Sequence, residues 1–137
     1  MALEELGFSA ATRALVQRLE WRGVEVSLDL AAVDVLSDTQ RTVAFRIVQE
    51  AVANIVRHAE PATVTIGARL EAEHLVLEVN DDGRGFDPEH DIRRIDDGHL
   101  GLAAVQERAA LIGGQVNIDS VEGGGTTLRL VLPAPPP

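Results

Sequence analysis

The sequence predicts an α/β protein of the α+β kind, and three observations carry that expectation. Five short stretches alternate apolar and polar residues, three longer ones repeat apolar residues at helical spacing, and Gly, Asp or Pro punctuates most junctions. Alternation, as opposed to continuous apolar runs, means that one face of the sheet is solvated and that its strands are mostly antiparallel. The expected architecture is a two-layer sandwich, with a mixed, mostly antiparallel sheet of about five strands covered on one face by three helices. A length of 137 residues with 45% hydrophobic and 25% charged side chains suits one core, assigned to residues 1–133, with 134–137 as a disordered proline-rich tail. Aromatic residues make up only 3% of the chain, so that core must be built from Leu, Val, Ile and Ala.

Ser9 is placed to cap a helix over about Ala10–Arg22, with Leu15, Val16 and Leu19 facing inward and Gly23 ending it. Val24, Val26, Leu28 and Leu30 then alternate with Glu25, Ser27 and Asp29 as a half-buried strand. Asp38 is placed to cap a long second helix, about Thr39–Ala59, which Pro61 ends. Val64, Ile66, Ala68 and Leu70 form the next alternating strand, and Leu75, Leu77 and Val79 the one after, with a hairpin turn at Glu71–His74. Residues 82–99 are rich in Gly and Asp and lack apolar periodicity. A structureless segment of that length in a compact domain points to a functional, lid-like loop. A third helix follows over about Leu100–Ile112, stopped by Gly113–Gly114. Gln115–Val121 and Thr126–Leu132 flank Glu122-Gly123-Gly124-Gly125 as a last hairpin.

Bulk chemistry narrows the function. No apolar run reaches 18 residues, so no membrane segment is expected, and no basic-then-apolar leader opens the chain. Zero cysteines exclude disulfides and thiolate metal sites and suit a cytoplasmic location. A net charge of −10 disfavours nucleic acid and anionic membranes, so an anionic ligand has to be captured by local features.

Four local features can do so. On the second helix, Glu50, Asn54 and His58 are four apart and form one row. On a wheel of about 100° per residue, that row borders the apolar arc of Ala44, Phe45, Val48, Ala51, Val52, Ile55 and Ala59, so it faces the rim of a cavity. Asn is a poor mid-helix residue and needs a reason to be there. One histidine is too few for zinc, whereas an oxygen-rich row suits Mg²⁺, which takes one or two protein ligands plus substrate phosphates. Asp81 continues the inward row of Leu75, Leu77 and Val79, and such a carboxylate needs a donor, for which the exocyclic amine of a purine is suitable. Gly83 and Gly85 let the chain turn tightly beside a ligand. Gly98-His99-Leu100-Gly101-Leu102 opens the third helix, whose free N–H groups and dipole suit phosphate. Thr126 heads the inward row of Leu128, Leu130 and Leu132, beside Asp81 if those strands are neighbours.

In order, these features resemble the Bergerat ATP-binding fold of histidine kinases, DNA gyrase, heat-shock ATPase chaperones and mismatch-repair ATPases. QEAVANIVRHA is similar to the N box of histidine kinases, DDGRGF to the first glycine box and GHLGLAAVQERAALIGG to the second. From Phe45 to Leu132, ending in GGGTTLRLVLP, the chain resembles the catalytic ATP-binding domain of two-component sensor histidine kinases of the nitrate-sensor and desaturase-sensor type.

The resemblance implies ATP and Mg²⁺ as cofactors, with Asn54 on the metal and Glu50 positioning it or acting as a base toward the attacking imidazole. It places Arg57 and His58 near phosphate, Asp81 on adenine with Thr126 close by, and Gly83, Gly85, Gly101 and Leu102 around the pocket under a lid of residues 86–99. The second glycine box carries an extra residue relative to the usual G-x-G-L. The resemblance also implies that residue 1 lies where the catalytic domain begins, so that the acceptor histidine belongs to a separate dimerisation domain and a response regulator stands further downstream. Two other readings are an anti-sigma-factor-type serine kinase of the same fold and a nucleotide-binding module without kinase activity.

Overall fold

The computed structural model describes residues 7–85 and 102–134. The expected lid, residues 86–99, together with Leu100 and Gly101, lies outside the described residues. The elements, in chain order, are α1 (Phe8–Trp21), β1 (Glu25–Asp29), a 3₁₀ turn (Ala31–Val35), α2 (Asp38–Asn54), a π turn (Ile55–Ala59), β2 (Thr63–Glu71), β3 (His74–Asp81), α3 (Leu102–Leu111), β4 (Gln115–Ser120) and β5 (Thr126–Pro133).

The strands form one five-stranded sheet in the order β1-β2-β3-β5-β4. Among the described residues only the β1–β2 pair is parallel; the other three pairs are antiparallel. The expected mixed, mostly antiparallel sheet is therefore present, with three helices packed on one face. Val16 and Leu19 of α1, Ile47 and Val48 of α2, and Val105 and Ala109 of α3 share a single core with Ile66, Leu75, Leu77, Leu130 and Leu132 of the sheet. Each buried Leu or Ile removed from water contributes about 1.5–3 kcal/mol. The opposite face is polar, as the alternation requires. There Ser27, Asp29, Thr65 and Asn117 are exposed, Thr127 donates to Asn80 at 2.6 Å, and Glu78 is held between Arg69 and Arg129.

Several boundaries differ from expectation. Helix α1 begins two residues earlier, at Phe8 after Gly7, and Ser9 does not cap it. Phe8 is drawn in because its ring packs edge-on against Phe45, with centroids 5.6 Å apart. Ser37, not Asp38, caps α2, through a capping box in which Gln40 N–H donates to Ser37 Oγ at 3.1 Å and Ser37 N–H to Gln40 Oε1 at 2.9 Å. β1 closes at Asp29, and Leu30 turns into the 3₁₀ segment that buries Val33. Ala134, expected in the tail, is tied by its N–H to the Glu73 carbonyl at 2.9 Å.

The difference that bears on function is at the end of α2. Regular α geometry stops at Asn54, and the last turn widens into the π turn before Glu60 reverses the chain at φ 48°. Carbonyls left over at this end find outside donors: Arg22 Nη1 reaches Val56 O at 3.2 Å, and Arg84 N–H reaches Ala59 O at 2.8 Å. Glu50 and Asn54 stand within regular α geometry, whereas His58 stands in the widened turn, where residues four apart no longer stack as they do in an α-helix.

Candidate functional site

The register of the sheet builds one end of the site. Val64, Asp81, Thr126 and Ser120 are successive partners across β2, β3, β5 and β4, so they form one inward-facing row. Two residues deeper the same row positions carry only aliphatic residues, such as Ile66, Val79 and Leu128. The row at the strand ends is therefore where the apolar interior gives way to polar side chains. Asp81 and Thr126 are half-buried neighbours, because β3 and β5 pair, the condition on which the strand pattern made that contact depend.

Asp81 is held from its own turn. Its Oδ1 accepts the Gly83 N–H at 2.8 Å. Burial pushes the Asp81 carboxyl above the usual aspartate range, and hydrogen bonds from the backbone of Gly83 and Thr126 pull back against that. A half-buried carboxylate is a strong acceptor, with lone pairs beyond those that the Gly83 and Thr126 amides take. Asp82 has a different task, which sequence reasoning missed. Its Oδ1 takes the Ala62 and Thr63 amides, each at 2.8 Å, and its Oδ2 takes the Thr63 hydroxyl at 3.0 Å. These bonds hold Asp82 below the ordinary aspartate range and pin the start of β2 to the turn after β3.

Glycine is required at three positions by close approach, one of them Gly85, at φ +63°, where a Cβ would fall on the Val121 carbonyl. Gly83 is buried with its backbone against the π turn, and a Cβ there would fall on the Ala59 carbonyl, 2.8 Å from its carbon and 2.9 Å from the Ala59 Cβ. Gly125, at φ +83°, would drive a Cβ into the Asp81 carbonyl, 3.0 Å from Asp82 Cα. The turn after β3 is thus wedged between the end of α2 on one side and the β4–β5 hairpin on the other. Arg84 completes the wedge: its guanidinium pairs with Glu60 at 2.7 Å, and its carbonyl accepts the Gly123 N–H.

The α2 side supplies the other groups. Glu50 and Asn54 are half-buried and one turn apart. Asn54 Oδ1 and His58 Nε2 are both shut off from solvent, whereas Arg57 is exposed. Among the described residues no group of three His, Cys, Asp or Glu side chains is placed to hold a metal by itself. The Glu50–Asn54 pair offers two oxygen donors, a set that suits Mg²⁺ only when phosphates complete its shell. Leu102 is the first residue of α3, and Gly101 lies outside the described residues.

Sequence reasoning also missed Ser120, whose hydroxyl lies 2.8 Å from Thr126 Oγ1 and donates to Gly125 O at 3.2 Å. The signal was there, because Ser120 continues the period-two row of Val116 and Ile118. No such signal exists for the Asp82 clasp, whose partners lie 19 and 20 positions away.

A family model described as histidine kinase-, DNA gyrase B-, and HSP90-like ATPase matches residues 39–136. The histidine kinase domain from the Erythrobacter litoralis EL346 blue-light activated histidine kinase is similar in structure, with a TM-score of 0.74 at 20% identity over 93% of this chain and 59% of that one. The Acinetobacter baumannii histidine kinase AdeS gives a TM-score of 0.70 at 17% identity over 98% of this chain and 73% of that one. At such identities the likeness is one of fold, and the chain spans under two-thirds of the Erythrobacter domain. No helix among the described residues is long and apolar enough to cross a membrane. The family model covers most of the chain, including the Asp81 turn, the Thr126 hairpin and the Glu50–Asn54 helix: the chain belongs to the histidine kinase-, DNA gyrase B- and HSP90-like ATPase family and is an ATP-binding domain of that family.

Proposed function

We propose that this domain holds ATP with Mg²⁺ and delivers the γ-phosphoryl group to a histidine on a separate dimerisation domain, as part of a cytoplasmic two-component signalling kinase. The observation that carries the reading is the polar end of one inward row, Asp81 and Thr126, set against the Glu50–Asn54 helix through the glycine turn between them. Kinases among the structures of like fold favour a kinase over the chaperone and gyrase branches of the family.

Asp81 accepts from the exocyclic amine of adenine, with the Thr126 hydroxyl beside it. Gly83 and Gly85 keep the turn low enough for the base to approach. Asn54 Oδ1 and Glu50 would hold Mg²⁺, which supplies charge neutralisation on the phosphates. Arg57 and His58 flank the same end of α2, where Arg57, being exposed, can reach a phosphate. Gly101 and Leu102 would turn the start of α3 and its free N–H groups toward the phosphates, under a lid of residues 86–99. In the transfer the bond from the γ-phosphorus to its bridging oxygen breaks, and a bond to an imidazole nitrogen forms. ADP leaves with that oxygen, and the imidazole proton passes to Glu50. Such reactions depend mainly on positioning and charge neutralisation, which is what a rigid site supplies.

The test is transfer from γ-labelled ATP to an added dimerisation domain bearing the acceptor histidine. Acid-labile, base-stable label on that domain is expected, with little on the 137-residue chain itself. His58 stands in the π turn and His74 starts β3, so neither is presented on an exposed helix face. Label appearing as acid-stable phosphoserine on a partner would turn the assignment to the serine-kinase branch, and no transfer at all would leave a binding module.

A further inference from the structure

We infer that Ser120 is a positioning residue that fixes the direction of the Thr126 hydroxyl and so helps select a 6-aminopurine over a 6-oxopurine; the inference rests on the proposed adenine site. Ser120 and Thr126 are direct partners across β4 and β5, and Thr126 is in turn the partner of Asp81. The three polar side chains therefore stand side by side at the end of one inward row whose deeper members are aliphatic.

The hydrogen count gives the row a polarity. A serine hydroxyl has one proton, and a carbonyl can only accept. With the Ser120 proton on the 3.2 Å bond to Gly125 O, the 2.8 Å contact between the two hydroxyls takes its proton from Thr126. With that proton turned toward β4, Thr126 Oγ1 offers lone pairs on the side of Asp81. Gly125 is held in place for this role, since its backbone lies against Asp81 and Asp82 and its φ is +83°. The carboxylate of Asp81 and the oxygen of Thr126 then make two adjacent acceptors. An exocyclic amine, with two hydrogens, satisfies both. A 6-oxo group in the same place meets two acceptors with a third.

Without Ser120 the Thr126 hydroxyl is free to rotate and donate toward the base, which erases the discrimination without removing the Asp81 contact. The experiment measures the dissociation constants of ATP and ITP, by calorimetry on the full chain, for wild type, Ser120→Ala, Ser120→Thr and Asp81→Ala. Ser120→Ala should lower the ATP-over-ITP preference about fivefold, the value of one net hydrogen bond, while Ser120→Thr keeps it. Equal weakening of ATP and ITP in Ser120→Ala, or an unchanged ratio, would overturn the inference. Should the alanine variant fail to fold, Ser120→Cys keeps the volume with a weak hydrogen-bonding group and is read against the same ratio. If Asp81→Ala leaves ATP binding intact, the adenine site itself is misplaced; if it abolishes binding while Ser120→Ala keeps the ratio, only the role of Ser120 fails.

Discussion

Replacing Gly83 with alanine tests how the site is assembled, because the cost can be worked from contacts. The new methyl would meet the Ala59 carbonyl oxygen, its carbon at 2.8 Å and the Ala59 Cβ at 2.9 Å, all closer than real Cβ atoms come to their neighbours. The obstacle is backbone, so it cannot swing aside. Relieving it moves the turn after β3 away from α2, and with it the 2.8 Å bond from Arg84 N–H to Ala59 O. Overpacking of this kind costs about 1–3 kcal/mol, and loosening one hydrogen bond adds about 1 kcal/mol. The entropy lost from the unfolded chain on replacing glycine returns about 0.4–1 kcal/mol. The net expectation is about 1–4 kcal/mol of destabilisation, with loss of nucleotide affinity because Asp81 moves with the turn. Gly123→Ala is the matched control: at φ +81° with nothing within 4 Å of the new Cβ, it suffers left-handed strain alone, about 1–2 kcal/mol. Urea denaturation and ADP titration of both variants read the difference. A Gly83→Ala variant no less stable than Gly123→Ala, or one with wild-type affinity, would refute the packing argument.

Other changes separate binding from stability. Asp81→Asn should stabilise the domain at pH 7: the folded pKa of Asp81 is raised, so its contribution is favourable below the ordinary aspartate value and is lost as pH rises through the folded one. The gap over wild type in denaturation midpoint should close as pH falls toward 4, and a gap that widens in acid would reverse the sign. Asp82 runs the other way, because its pKa is lowered; its support is present above the ordinary aspartate value and lost as pH falls through the folded one. Asp82→Ala should therefore lower the thermal midpoint at neutral pH and flatten its fall in acid, as pH-dependent calorimetry would show. Asn54→Ala should weaken ATP binding in Mg²⁺ by more than in EDTA, and an equal loss in both would remove Asn54 from the metal.

What the sequence revealed depended on whether the cause was periodic. The strands from Val64 to Leu70 and from Leu75 to Val79 declare themselves by alternation, and so does the inward placement of Asp81, because burial on one face imposes a period of two. The second helix was legible for the same reason up to Asn54. Its π turn was not, since the widening goes with partners from distant segments, Arg22 and Arg84, that no local pattern announces. The cap at Ser37 could have been read from Ser37 and Gln40 at capping-box spacing, but Asp38 competed for the same role. The Asp81–Thr126 contact was conditional on a β3–β5 pairing that the register supplies. Ser120 lay one strand further along that row, and only the sheet order makes it a neighbour.

The central claim is that a half-buried carboxylate at the end of β3 recognises adenine. Calorimetric titration of ATP into wild type and Asp81→Ala, each with Mg²⁺ and with EDTA, addresses it most directly. Wild type should bind in the micromolar to millimolar range. Asp81→Ala should lose at least about tenfold, the value of a charge-assisted hydrogen bond, in both conditions, because the contact is to the base and not to the metal. Equal ATP affinity in the two proteins would contradict the account.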